Sequence, residues 1–205
     1  MARALSVHDL LKKKYKLFPF EDEWRDAFEC PERSGVWFVW GNSGNGKTTF
    51  VLELVKYLAS FTKIAYNSLE EQSAHSMQKA FRNVGMQAVA KKVILIEGET
   101  IEELSERLSK KHSPDVVIID SFQYCQLNYR SYIEIKKKFS KKLLIFISHA
   151  DGKQPAGRAA KSVMFDATLK IWVEGYKAFS KGRYIGSKGD YTIWHEGAIK
   201  YWGSI

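Results

Sequence analysis

Short apolar runs alternate with stretches whose apolar positions recur every three or four residues along most of the chain. Val36–Trp40, Ile64–Asn67, Val93–Ile96, Val116–Ile119 and Leu143–Ile147 read as buried strands, the pattern expected of a parallel sheet covered by helices on both faces. Between them, residues 47–61 place Phe50, Val51, Leu54, Leu58 and Phe61 at helical spacing, and residues 101–111 repeat Ile101, Leu104 and Leu108. Thr100 followed by Glu103 predicts a capping box at the start of the second helix. After Leu143–Ile147 the character changes. Residues 151–162 (DGKQPAGRAAKS) read as a loop, and residues 167–201 break into short β-prone runs separated by Gly-containing turns. The expectation is an α/β fold with a mainly parallel central sheet and C-terminal β-hairpins. Residues 1–32 are expected to form an N-terminal basic helical segment and residues 33–205 the core.

The 205 residues are enough for one large domain with a substantial core. A formal charge of +9 and a pI near 9.4 suit a polyanionic partner such as nucleic acid without requiring one. The run Leu10-Leu11-Lys12-Lys13-Lys14-Tyr15-Lys16 reads as a solvated basic face or a contact with a phosphate backbone or a neighbouring subunit. Cys30 and Cys125 lie far apart, with no C-x-x-C spacing, and predict two buried thiols in a reducing compartment. The first twenty residues carry lysines where a signal peptide needs its apolar stretch. No apolar run approaches the roughly 18 residues that span a bilayer. A cytoplasmic protein with no membrane partner is expected.

One segment carries more specific chemistry. Gly41-Asn42-Ser43-Gly44-Asn45-Gly46-Lys47-Thr48 satisfies G-x-x-x-x-G-K-[ST] at every position, with a strand expected before it and an amphipathic helix after it. Glycines allow successive N–H groups to converge on one anion, and the helix N-terminus adds a favourable field. Lys47 is expected to reach the β- and γ-phosphates of a nucleoside triphosphate, Thr48 to ligate magnesium and Thr49 to add a donor near the α-phosphate. The run DVVIID ends in Asp120, which a buried strand would deliver beside this loop as a second anchor for magnesium. Seventy-three positions separate Lys47 from Asp120, room for two intervening strand–helix units. Such an insertion is more typical of ATPases with a glutamate-activated water than of small-molecule kinases. The segment Ser68-Leu69-Glu70-Glu71 supplies that glutamate: Glu70 is read as the base and Glu71 as a helper, the alternative being that both favour the start of the next helix. No guanine-reading N-K-x-D segment occurs, which points mildly to ATP.

With GNSGNGKTT, NSLEE, VVIIDS and the tail FISHADGKQPAGRAAKSVMFDATLKIWVE followed by SKGRY, the chain resembles the RecA-like ATPases over residues 33–200. That superfamily holds RecA and RadA recombinases, DnaB-type helicases and KaiC-type proteins. The resemblance implies a RecA-like fold, Glu70 as the water-activating glutamate and His149, beside Ser148, as a polar sensor of the γ-phosphate. It also implies that Lys181 and Arg183, spaced K-x-R, reach a neighbouring subunit's phosphates in a ring or filament. The stretches after the fourth and fifth strands hold DNA in recombinases of this group, which gives Tyr124, Arg130, Lys153, Arg158 and Lys161 as candidate contacts with single-stranded DNA. The sequence stops at Ile205 without the extra domains of full recombinases or replicative helicases and so resembles core-only phage and prophage members. The implied function is a magnesium-dependent ATPase acting on single-stranded DNA in recombination, replication or repair. A KaiC-like or helicase-loader-like nucleotide switch acting on a protein partner is the alternative.

Overall fold

The five apolar runs form adjacent strands. In the computed structural model, which describes residues 4–203, they are β1 (Gly35–Gly41), β2 (Ile64–Ser68), β3 (Val93–Glu97), β4 (Val116–Asp120) and β5 (Leu143–Asp151). A two-residue strand, β6 (Gln154–Pro155), pairs with the end of β5, and β7 (Leu169–Glu174), β8 (Lys177–Ser180) and β9 (Asp190–Thr192) follow. The sheet order is β3-β2-β4-β5-β1-β7-β8-β9. Pairing is parallel from β3 to β7, and β7–β8 and β8–β9 are the antiparallel hairpins that the C-terminal turns predict. The fold is therefore α/β with a mainly parallel central sheet.

Both faces of the sheet are covered, which is why the strands show no polar alternation. On one face, Phe50, Leu54 and Leu58 of α3 (Lys47–Leu58) pack with Trp37, Val39, Ile64 and Tyr66, and α4 (His75–Val84) adds Met77. On the other, α5 (Ile101–Ser109), α6 (Tyr129–Lys138) and α7 (Arg158–Asp166) bring Leu104, Leu108, Tyr132 and Val163 against Phe38, Val117 and Phe146. The capping box forms at the start of α5, where Thr100 Oγ1 accepts from Glu103 N at 3.2 Å and Glu103 returns a bond to Thr100 N at 2.8 Å.

The N-terminal segment divides in two. The short helix α1 (Val7–Lys12) buries no residue. The following stretch, with α2 (Asp22–Phe28), sends Phe18, Phe20, Ala27 and Phe28 into the core on the α3 side. Trp24 stacks on Tyr57 at 4.9 Å and on Tyr191 at 4.4 Å, tying α2 to α3 and β9.

Three local departures from the sequence expectation have physical causes. The segment 151–162 contains the start of α7, because Ala160, Val163 and Met164 form a buried helical stripe that extends past that polar window. Helix α3 stops at Leu58, and Phe61 folds back in a turn to pack 5.8 Å from Phe18. The last β-prone run gives way to α8 (His195–Trp202), whose small residues Gly197 and Ala198 are buried.

Candidate active site

Strand register collects the candidate side chains on one face. In a parallel pair, partners in register share a face, and alternate residues along a strand return to it. Gly41 is opposite His149 on β5 and Val173 on β7, and Ser68 is opposite Asp120. Their neighbours two positions back, Val39, Ile147, Tyr66 and Ile118, belong to the core on the α3 side. Gly41, His149, Ser68 and Asp120 thus meet at the C-terminal strand ends on the α3 side, where α3 begins.

The glycine loop runs from β1 into α3. A Cβ on Gly41 would stand 2.4 Å from the Val173 carbonyl oxygen, so only glycine lets the chain leave the sheet here. Gly46, at φ 89°, caps α3 without a side-chain bond, leaving the first amides of the helix for a ligand. Two asparagines brace the turn. Asn45 Oδ1 accepts from Gly175 N at 2.8 Å and its Nδ2 donates to Ser43 O at 3.1 Å, while Asn42 Nδ2 donates to Gly152 O at 3.2 Å. Lys47, Thr48 and Thr49 occupy the first turn of α3.

Asp120 ends β4 and accepts a short hydrogen bond from the Tyr66 hydroxyl. Burial pushes its carboxyl above the usual range; Tyr66 and Lys47 pull it down, and Glu70 and Glu71 push it up. Beside it, the hydroxyls of Ser68 and Ser121 are buried with no hydrogen-bond partner. A buried carboxylate, two orphaned hydroxyls and the Thr48 hydroxyl are all oxygen donors of the kind magnesium takes, keeping waters and substrate phosphates in the rest of its shell. Among the described residues, no group of three or more His, Cys, Asp or Glu forms a cage for a metal.

The two adjacent glutamates face different partners. Glu70 Oε2 lies 3.0 Å from His149 Nε2, and both side chains are open to solvent at the strand ends. Glu71 Oε2 instead accepts from Ser76 Oγ at 2.5 Å, in the first turn of α4. The turn carrying them is held to β4 by Leu69 N donating to Asp120 O at 2.6 Å. Gln123 steadies the end of β5. Its Oε1 accepts from His149 N at 3.1 Å, and its Nε2 donates to Ser148 Oγ at 2.8 Å and Ala156 O at 3.1 Å.

Other candidates lie elsewhere. Lys181 N donates to Lys170 O and Arg183 N to Thr168 O. These partners lie at the start of β7, three or more positions before Val173, so about 10 Å of strand separates the pair from Gly41. The structure does not bring Lys181 and Arg183 to their own glycine loop. Tyr124 is exposed between β4 and α6, Arg130 pairs with Glu134 at 3.5 Å on α6, Lys153 and Arg158 are exposed, and Lys161 is half-buried on α7. In the same stretch as Tyr124, Phe122 is buried, packed 6.0 Å from Phe38 and 5.7 Å from Phe146. Sequence reasoning passed over Tyr66, Ser121, Gln123 and the bracing use of Asn45. A glutamine amid the aromatic run after β4 was the one available signal; Tyr66 looks like any apolar strand residue.

No protein-family model matches the chain, and no curated protein is significantly similar to it. Solved structures do match. The flagellar accessory protein FlaH from Methanocaldococcus jannaschii superposes with a TM-score of 0.59 at 15% identity, over 87% of this chain and 92% of that one. A KaiC-like protein from Pyrococcus horikoshii OT3 gives a TM-score of 0.59 at 16% identity, over 87% of this chain and 96% of that one. The fold is RecA-like. At such identities the likeness concerns the fold, into which the glycine loop, Asp120 and the sheet order fit. No helix among the described residues is long and apolar enough to cross a membrane.

Proposed function

We propose that the chain is a magnesium-dependent ATPase that works as an assembly of copies on single-stranded DNA, in recombination, replication or repair. The observation that carries the hydrolytic half is the 3.0 Å pairing of Glu70 with His149 on the same sheet face as Asp120 and the glycine loop. The phosphates lie against the amides at the start of α3, with the Lys47 ammonium on the β- and γ-phosphates. Thr48 and Asp120 would hold magnesium, whose chemistry there is neutralisation of charge on phosphate oxygens. Glu70 accepts a proton from water as the water oxygen attacks the γ-phosphorus in line. The bond to the bridging oxygen breaks and ADP is the leaving group. His149 holds Glu70 in position and senses the γ-phosphate, and Glu71, bound to Ser76, supports the turn.

Lys181 and Arg183, remote from their own loop, serve the phosphates of a neighbouring copy. A cation supplied in trans stabilises the transition-state charge and makes turnover depend on assembly. Tyr124, Arg130, Lys153, Arg158 and Lys161 contact single-stranded DNA, in keeping with the +9 charge. ATP turnover measured with and without single-stranded DNA tests the proposal. It expects stimulation and salt-sensitive DNA binding; unchanged turnover without binding removes the nucleic-acid half.

A nucleotide switch acting on a protein partner has separate support, since the neighbours are named as a KaiC-like protein and an accessory protein. That reading expects slow turnover indifferent to DNA and a complex with another protein that forms in only one nucleotide state.

A further inference from the structure

A cavity of about 630 Å³ opens on the face of the sheet opposite α3, over the ends of β1, β7 and β8 and between α7 and α8. It is separate from the glycine loop, because Trp40 and Trp172 at its floor alternate away from Gly41 and Val173. Its size is that of a site for a small organic group. The two floor indoles lie 5.7 Å apart, and Phe165, Phe179 and Trp202 form the walls. Phe165 is 69% exposed and Trp202 44%, so large rings stand open to solvent.

The indole N–H groups of these rings are already committed. Trp40 Nε1 donates to Lys153 O at 3.2 Å, Trp172 Nε1 to Glu174 Oε2 at 3.0 Å and Trp202 Nε1 to Gly175 O at 3.0 Å. The groove therefore offers ring faces without indole donors. Glu174, its one carboxylate, also accepts from the Tyr201 hydroxyl at 3.4 Å, and Lys177 is paired with Asp190 at 3.1 Å. Lys153, Lys170 and Lys181 remain, with no carboxylate among the described residues within ion-pair distance. The Lys170 ammonium lies 5.9 Å from the centre of the Phe165 ring.

Rings without free donors, rimmed by unpaired cations, complement flat bases strung on phosphates. An apolar protein segment would match the rings and bury the cations unpaired; an acidic peptide would match the cations and leave the rings without a stacking partner. We propose that this groove seats unpaired bases of single-stranded nucleic acid, stacked on Phe165, Phe179 and Trp202, with phosphates on Lys153 and Lys170. The inference rests on the nucleic-acid half of the function above and extends it from Lys153, named there, to a surface on α7, β7, β8 and α8. It also supplies a route to the ATP site. Gly175 accepts from Trp202 through its carbonyl and donates to Asn45 of the glycine loop through its amide.

The test is binding of a fluorescein-labelled oligothymidylate across a salt series to wild-type protein, Phe165→Ala and Lys170→Ala. Unchanged ATP turnover without DNA verifies folding of the variants. Phe165→Ala should weaken binding about tenfold at every salt concentration. Lys170→Ala should flatten the slope of log affinity against log salt by about 0.7, the share of one phosphate on a single strand. Cross-links from a 5-iodouracil oligonucleotide should map to peptides bearing Phe165, Phe179 or Trp202. If wild type binds DNA and both variants bind equally well, with cross-links in 121–130, the groove assignment is wrong and the DNA function stands. If wild type binds no single strand, both fail. If the variants lose self-association in sedimentation and keep DNA affinity, the groove seats a second copy and the proposal is overturned.

Discussion

Glu70 and Glu71 are chain neighbours whose surroundings differ: one faces His149 across the strand ends, the other is tied to Ser76 of α4. Glu70→Gln should retain ATP binding and lower hydrolysis by on the order of 10²-fold or more, whereas Glu71→Gln should have a much smaller effect; calorimetry and phosphate release report the two halves. Equal losses would place the base elsewhere. Glu53, on α3, gives a pH prediction. Burial pushes its carboxyl up to about 7; Tyr191 and Lys56 pull it down, and Glu23 pushes it up. The folded chain therefore keeps this proton where the unfolded chain has released it, so the contribution to stability is full below the usual 4.5 and is lost as pH rises through about 7. Glu53→Gln should raise the melting temperature relative to wild type increasingly from about pH 5 to about pH 8. A difference constant with pH would contradict it. The phosphate-loop motif could be read from sequence because its chemistry is local. The orphaned Ser68 and Ser121 hydroxyls could not, since only strand pairing reveals that a buried hydroxyl lacks a partner.

Among the elements, the parallel strands were legible because burial on both faces leaves continuous apolar runs. Helices α7 and α8 were not. One begins inside a Gly- and Lys-rich stretch, and the other follows residues of high β propensity, so tertiary burial of Ala160, Val163, Gly197 and Ala198 decides them. Basic composition around α1 likewise hid the aromatic anchors that follow it. Phe20 is 1% exposed among Trp24, Trp37, Tyr57 and Phe61. Phe20→Ala should destabilise the fold by about 3–5 kcal/mol in urea unfolding. A loss below about 1 kcal/mol would mean that the segment before β1 folds apart from the core.

For the whole molecule, the positions of Lys181 and Arg183 decide how copies would cooperate. An assembly that shares its cations should show complementation: Arg183→Ala mixed with Lys47→Ala should regain part of the activity that each variant lacks alone. No recovery at any ratio would exclude action in trans. The mainly parallel sheet and the glycine loop could be inferred from the sequence, whereas the strand order and the distance of the basic pair from its own loop depend on tertiary pairing, the latter on how β8 returns along β7. The most direct measurement is phosphate release from magnesium-ATP by purified protein over a range of concentrations, with Glu70→Gln in parallel. Turnover per chain that rises with concentration, and collapses in the variant while ATP still binds, is the predicted result. Absence of ATP binding, or hydrolysis by Glu70→Gln at the wild-type rate, would contradict it.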